Sequence, residues 1–131
     1  MSGLDTNVLV RYLVRDDEKQ AQKASACIAK IISAGKSCFL SHIVLCELVW
    51  VLESAYGYDK KEIAGVLEKI LATKQFEIEM KDLVHQAVHD YTTGAGDLAD
   101  YLIGRNNHSE GCDTTYTFDR ALKGSSLFSL L

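Results

Sequence analysis

The chain has 131 residues, 47% of them hydrophobic, with 14 basic and 18 acidic side chains and a formal net charge of −4, a size suited to one domain with a substantial core. That acidic balance argues against a broadly basic nucleic-acid-binding surface. No apolar stretch reaches the roughly 18 residues of a membrane span, and Met1-Ser-Gly-Leu runs straight into Asp5, which does not fit a secretory leader.

In chain order, a short strand is expected at Gly3-Leu4, after which Asp5 or Thr6 caps a helix carrying Val8, Leu9, Tyr12 and Leu13. Asp16 or Asp17 opens a second helix, with Ala24, Cys27, Ile28, Ile31 and Ile32 on its apolar side and Gly35 at its end. Ser37 to Leu40 is expected to be a buried strand, and Ser41 the cap of a helix running to about Tyr56. Asp59 with Glu62 has the spacing of a capping box, and Ile63, Val66, Leu67, Ile70 and Leu71 follow at helical spacing. Phe76 to Met80 alternates like a half-exposed strand, and Lys81 to Thr92 is a helix with Leu83, Val84, Ala87, Val88 and Tyr91 inward. Gly94-Ala-Gly96 breaks the chain, Asp97 starts the next helix, Thr114 to Phe118 is a strand, and Ser126 to Leu131 is a candidate last one. Strands alternating with helices imply one α/β domain over residues 1–131, with a mostly parallel central sheet of four to five strands flanked by helices. Cys27, Cys38, Cys46 and Cys112 lie in or near apolar stretches without CxxC spacing, the pattern of reduced, packed thiols in a cytoplasmic protein.

Four acids stand beside or within hydrophobic segments: Asp5, Glu47, Asp100 and Asp119. Glu47 is the sole charge between Ile43 and Leu52, and a carboxylate in such a run is expensive unless something charged or hydrogen-bonded meets it. Converging carboxylates suit a hard cation such as Mg²⁺ or Mn²⁺. Parallel sheets build their sites beyond the carboxyl ends of the strands. Asp5 and Asp119 directly follow expected strands, Glu47 sits early in the helix after one, and Asp100 lies in a helix's first turn. With these acids neutralised by metal, the remaining ones match the basic residues in number, so nucleic acid could approach a local patch. Each acid also has a plainer role: helix cap for Asp5 and Asp119, a dipole-favoured place in the first turn for Asp100 behind Asp97 as cap, and a buried ion pair for Glu47.

The run Leu4-Asp-Thr-Asn-Val-Leu-Val-Arg-Tyr-Leu13 resembles the opening of PIN-domain nucleases, especially the VapC toxins of bacterial type II toxin–antitoxin pairs. Ser41 to Leu52 is similar to their second motif, with Glu47 as its glutamate. Gly96 to Gly104 is similar to the third, with Asp100 as its acid and Asp97 an auxiliary or a cap. Thr115 to Leu122 resembles the fourth, with Asp119 as its acid and Thr117 as the accompanying hydroxyl. Ile103-Gly-Arg-Asn-Asn107 departs from the small, apolar helix expected there.

The resemblance implies a Mg²⁺- or Mn²⁺-dependent endoribonuclease whose Asp5, Glu47, Asp100 and Asp119 hold one or two ions and carry catalysis, with Glu47 or Asp100 to orient a water. Asn7 and Thr117 would support these ligands. Arg11, Arg15, Arg105 and Arg120, with Lys123, are candidates for RNA phosphate contact. It further implies an RNA substrate, a cognate antitoxin and homodimerisation, and the absence of a long apolar stretch adds the expectation of no membrane role. Two other roles stay open, an RNA-processing nuclease of the same fold without toxin function and a catalytically silent binding module. His85 and His89 are four apart on one helix but lack an HExxH context, and Trp50 belongs either to the core or to a partner interface.

Overall fold

Five short strands and six helices, the helices in pairs after each of the first three strands, make up residues 1–131, all of which the computed structural model describes. Strand β1 (Ser2–Gly3) leads into α1 (Thr6–Val14), then α2 (Glu18–Ser33), β2 (Cys38–Leu40), α3 (His42–Ser54) and α4 (Lys60–Ala72). There follow β3 (Phe76–Ile78), α5 (Lys81–Thr93), α6 (Leu98–Ser109), β4 (Thr115–Thr117), a 3₁₀ turn at Arg120–Leu122 and β5 (Phe128–Leu130). Every strand pairing is parallel, as the α/β alternation predicts. The hydrogen bonding divides into two ladders, β1-β2-β3 and a separate β4-β5 pair, rather than one continuous sheet.

Local chemistry sets the helix starts. The Asp17 carboxylate accepts from the Gln20 N–H at 3.1 Å, and the Ser41 hydroxyl from the Val44 N–H at 3.3 Å. Asp59 and Glu62 form a reciprocal capping box. After α2 the chain turns at Gly35, whose φ of +72° is easy for glycine alone.

One continuous core joins α1, α3, α4, α5 and α6 to the first sheet, built on Leu9, Leu40, Leu45, Leu48, Leu67 and Leu98. The buried side of α2 is Ala21, Ala24 and Ile28, whereas Cys27 and Ile32, expected inward, face solvent. Cys112 is exposed too, so two of the four thiols are surface groups and none is bonded to another. No helix is long and apolar enough to cross a membrane.

Candidate active site

The carboxyl ends of the first sheet deliver two of the acids. Asp5 follows β1 and is the N-cap of α1, its Oδ1 accepting from the Thr6 N–H at 2.8 Å. Glu47 lies one turn into α3, beyond β2. Thr6 joins them, because its Oγ1 donates to Glu47 Oε1 at 2.7 Å while its backbone holds Asp5. Apart from the tyrosines of the core, Thr6 is the one buried polar side chain of the molecule. Of the two capping candidates in the sequence, Asp5 takes the cap and Thr6 instead turns its hydroxyl to Glu47, a partner that no local pattern signals.

Glu47 corrects one expectation: its side chain is exposed rather than enclosed. Helix α3 buries Val44, Leu45, Leu48, Val49 and Leu52, and turns Ile43, Glu47 and Trp50 outward along one stripe. Ile43 is 71% and Trp50 53% exposed, so the apolar run does not wrap the carboxylate. Desolvation does act on its neighbour: burial first, then the Glu47 charge, pushes the Cys46 thiol up.

The other acids gather at the start of α6 and the end of β4. Asp97 is the N-cap of α6, and Asp100 reaches back so that its Oδ2 accepts from the Asp97 N–H at 3.0 Å. Partial burial, followed by the charges of Asp97 and Asp119, raises the Asp100 carboxyl above the ordinary aspartate range, against the lowering effect of that backbone bond. Asp119 Oδ1 accepts from the Ala121 N–H at 2.9 Å, and its own N–H donates to Thr117 Oγ1 at 3.0 Å. Lys60 steadies the turn before α6 by donating to the Gly94 and Gly96 carbonyls at 2.7 and 3.1 Å, its ammonium 4.6 Å from the Tyr91 ring centroid. Beneath it the Tyr91 hydroxyl has no hydrogen-bond partner, and burial, with the charges of Glu53, Asp97 and Asp59, pushes its pKa up to about 12.

The structure thus links Asp5 to Glu47 through Thr6 and sets Asp100 in the field of Asp97 and Asp119, without a hydrogen bond between the two groups. No three acidic, histidine or cysteine side chains stand close enough to form a ready metal cage. The donors themselves are all carboxylate oxygens, the type that Mg²⁺ and Mn²⁺ prefer. The mutual repulsion at Asp100 is also of the kind a cation relieves. The donor set fits such an ion in kind.

The remaining candidates divide. Asn7 is exposed and forms no hydrogen bond to the acids. Arg11 is bonded to Asp16 at 2.9 Å and Gln20 at 2.7 Å, and Arg15 to Ser25 at 2.7 Å and Glu18 at 3.3 Å. Arg105 makes a two-pronged pair with Asp90 at 2.7 and 2.9 Å. Arg120 and Lys123 are exposed and join no ion pair. His85 and His89 line a shallow cleft with Glu68 but form no metal group with it. Glu79, unremarked in the sequence, ends β3 and spends its carboxylate on the His42 N–H at 2.9 Å, at the start of α3.

A parallel α/β domain with acids beyond its strand ends has carboxylates where such folds build their sites, and the PIN domain model matches residues 4–124; the chain belongs to the PIN domain family. Among curated proteins it is similar to a VapC ribonuclease of Aquifex aeolicus (strain VF5), 28% identical over 123 residues, which is 94% of this chain and 90% of that one.

Proposed function

We propose that this protein is a metal-dependent endoribonuclease, the toxin of a type II toxin–antitoxin pair, acting in the cytoplasm on RNA phosphodiester bonds. The observation that carries the proposal is the order and position of the acids within a PIN domain: Asp5 and Glu47 tied through Thr6, and Asp100 at the start of α6 feeling the charges of Asp97 and Asp119. The similarity to a protein named VapC ribonuclease supports the same reading.

Asp5, Glu47, Asp100 and Asp119 would hold Mg²⁺ or Mn²⁺. Such an ion supplies activation of water and neutralisation of charge building on the phosphodiester oxygens. The chain's own part is positioning: Thr6 aims the Glu47 carboxylate, Thr117 fixes the backbone of Asp119, and Asp97 holds Asp100 through its N–H. Arg120 and Lys123 are free to receive phosphate, whereas Arg11, Arg15 and Arg105 would first have to leave their acidic partners.

The apolar cleft between α3 and α6, about 280 Å³ and lined by Ile43, Cys46, Trp50, Leu102 and Ile103, supports a protein contact there. We assign homodimerisation to this face and antitoxin binding to the acid groove. Light scattering of Trp50→Glu tests the dimer; an unchanged mass rejects it.

The decisive assay is Mn²⁺-dependent cleavage of a structured RNA by wild type and by Asp5→Asn, Glu47→Gln and Asp119→Asn. Undiminished cleavage by all three variants removes the catalytic claim. Growth arrest on induction, relieved by a co-expressed antitoxin, separates a toxin from an RNA-processing enzyme of the same fold. One observation favours a different role: Asp5, Asp100 and Asp119 each already cap a backbone N–H. A silent module that keeps its acids for the fold would show no carboxylate-dependent heat on titration with Mn²⁺.

A further inference from the structure

Most aromatic side chains of this protein are spoken for. Tyr91, Tyr101 and Phe76 are buried, and Tyr12, Tyr56, Tyr58, Phe39 and Phe128 are half-buried. Three aromatics are exposed, and two of them, Tyr116 at 68% and Phe118 at 82%, stand within three residues of Asp119. They are two positions apart on β4 and its continuation, the spacing that puts side chains on one face of an extended chain. Thr117 between them points its hydroxyl elsewhere, to the Asp119 N–H. Neither ring meets another aromatic ring or a cation, and the Tyr116 hydroxyl makes no hydrogen bond within the chain.

The charge next to them is equally distinctive. Of the four arginines, Arg11, Arg15 and Arg105 are each paired with an acid, and Arg120 alone is not. Five consecutive residues, Tyr116 to Arg120, therefore present two open ring faces, an acid of the candidate metal set and an unpartnered guanidinium.

Exposed rings beside a cation are what unpaired nucleotides require, because every base offers a π-face and every nucleotide a phosphate. A folded protein partner would satisfy the rings but gives no reason for the free arginine or for the adjoining acid. A duplex keeps its bases stacked on each other and leaves the rings unused. We propose that Tyr116 and Phe118 form a stacking platform for unpaired RNA bases next to the phosphate to be cut, with Arg120 holding a neighbouring phosphate. The proposal rests on the nuclease reading and adds to it a base-binding subsite beside Asp119.

The test uses the full chain in EDTA, so that nothing is cleaved, and fluorescence anisotropy with labelled 12-nucleotide oligoadenylate RNA. Phe118→Ser and Tyr116→Ser should each weaken binding by about 5- to 150-fold, the range found when a stacking aromatic is removed. Phe118→Trp should retain affinity. An abasic site at the stacked position should weaken wild type by a similar factor and Phe118→Ser no further, and neither variant should alter binding to an RNA duplex. Both side chains are exposed, so unchanged melting temperatures are expected and serve as the folding check. If the serine variants bind oligoadenylate as wild type does, while wild type still cuts RNA with Mn²⁺, the platform is wrong and the nuclease stands. If wild type neither binds nor cuts RNA, the nuclease reading falls and the platform with it. Loss of self-association in the serine variants with RNA affinity intact would make the rings a protein contact and overturn the proposal.

Discussion

The link between Thr6 and Glu47 can be measured with a double-mutant cycle. Thr6 is only 6% exposed, and its hydroxyl has Glu47 as its partner at 2.7 Å. Glu47→Ala leaves that hydroxyl buried and unmatched, which costs about 1–3 kcal/mol. Water reaches the exposed glutamate side, and the alanine gains some helix propensity, so about 1–2 kcal/mol is expected. For a chain of this length that is a fall in Tm of roughly 3–10 °C. Thr6→Val replaces the hydroxyl with a methyl of similar size, and in that background Glu47→Ala should cost almost nothing. Urea unfolding of the four proteins yields the coupling directly. A Glu47→Ala penalty equal in both backgrounds to within about 0.3 kcal/mol would refute the idea that Thr6 positions Glu47.

Asp100 offers a pH test with a defined sign. Its carboxyl is raised in the folded state, so its ionisation costs stability as pH climbs through that folded value; Asp100→Asn should melt higher than wild type at pH 7, the gap closing near pH 3. Addition of Mn²⁺ should then raise the Tm of wild type more than that of the variant, and an equal rise in both would exclude Asp100 as a ligand. Gly94→Ala would drive its new methyl into the Tyr101 hydroxyl and to 2.9 Å from the Asp90 carbonyl oxygen, a loss of about 1–3 kcal/mol visible in thermal melts. Lys60→Met deletes both carbonyl contacts and the ring contact, and should cost about 1–2 kcal/mol by the same measurement.

Much of the scaffold is written in short-range chemistry. Ser41, Asp17 and the Asp59–Glu62 pair each start a helix where their side chains reach back to the backbone, and Gly35 turns the chain because it can adopt φ of +72°. What escaped the sequence is long-range. Whether Glu47 meets solvent depends on which apolar neighbours α6 and α1 cover, and they leave Ile43 and Trp50 bare. Arg105 looked free until α5 supplied Asp90 fifteen residues away. Thr6 gained its role from a helix forty-one residues distant. The split of the strands into two ladders likewise rests on pairings no local pattern encodes.

That split has a consequence for how the protein fails. The β4–β5 pair shares no ladder with the other three strands and is tied to the helical body by Leu122, by Leu127 and Phe128 against Gly104, and by a 3.0 Å hydrogen bond from Asn107 to Thr115. A tail held by side chains alone, without a shared ladder, can peel away while the helical body stays assembled. Asp119, Tyr116, Phe118 and Arg120 would leave together, and Asp5 with Glu47 would stay behind. Warming should therefore silence the protein some degrees before its helices melt, with amides of residues 115–130 exchanging ahead of the rest.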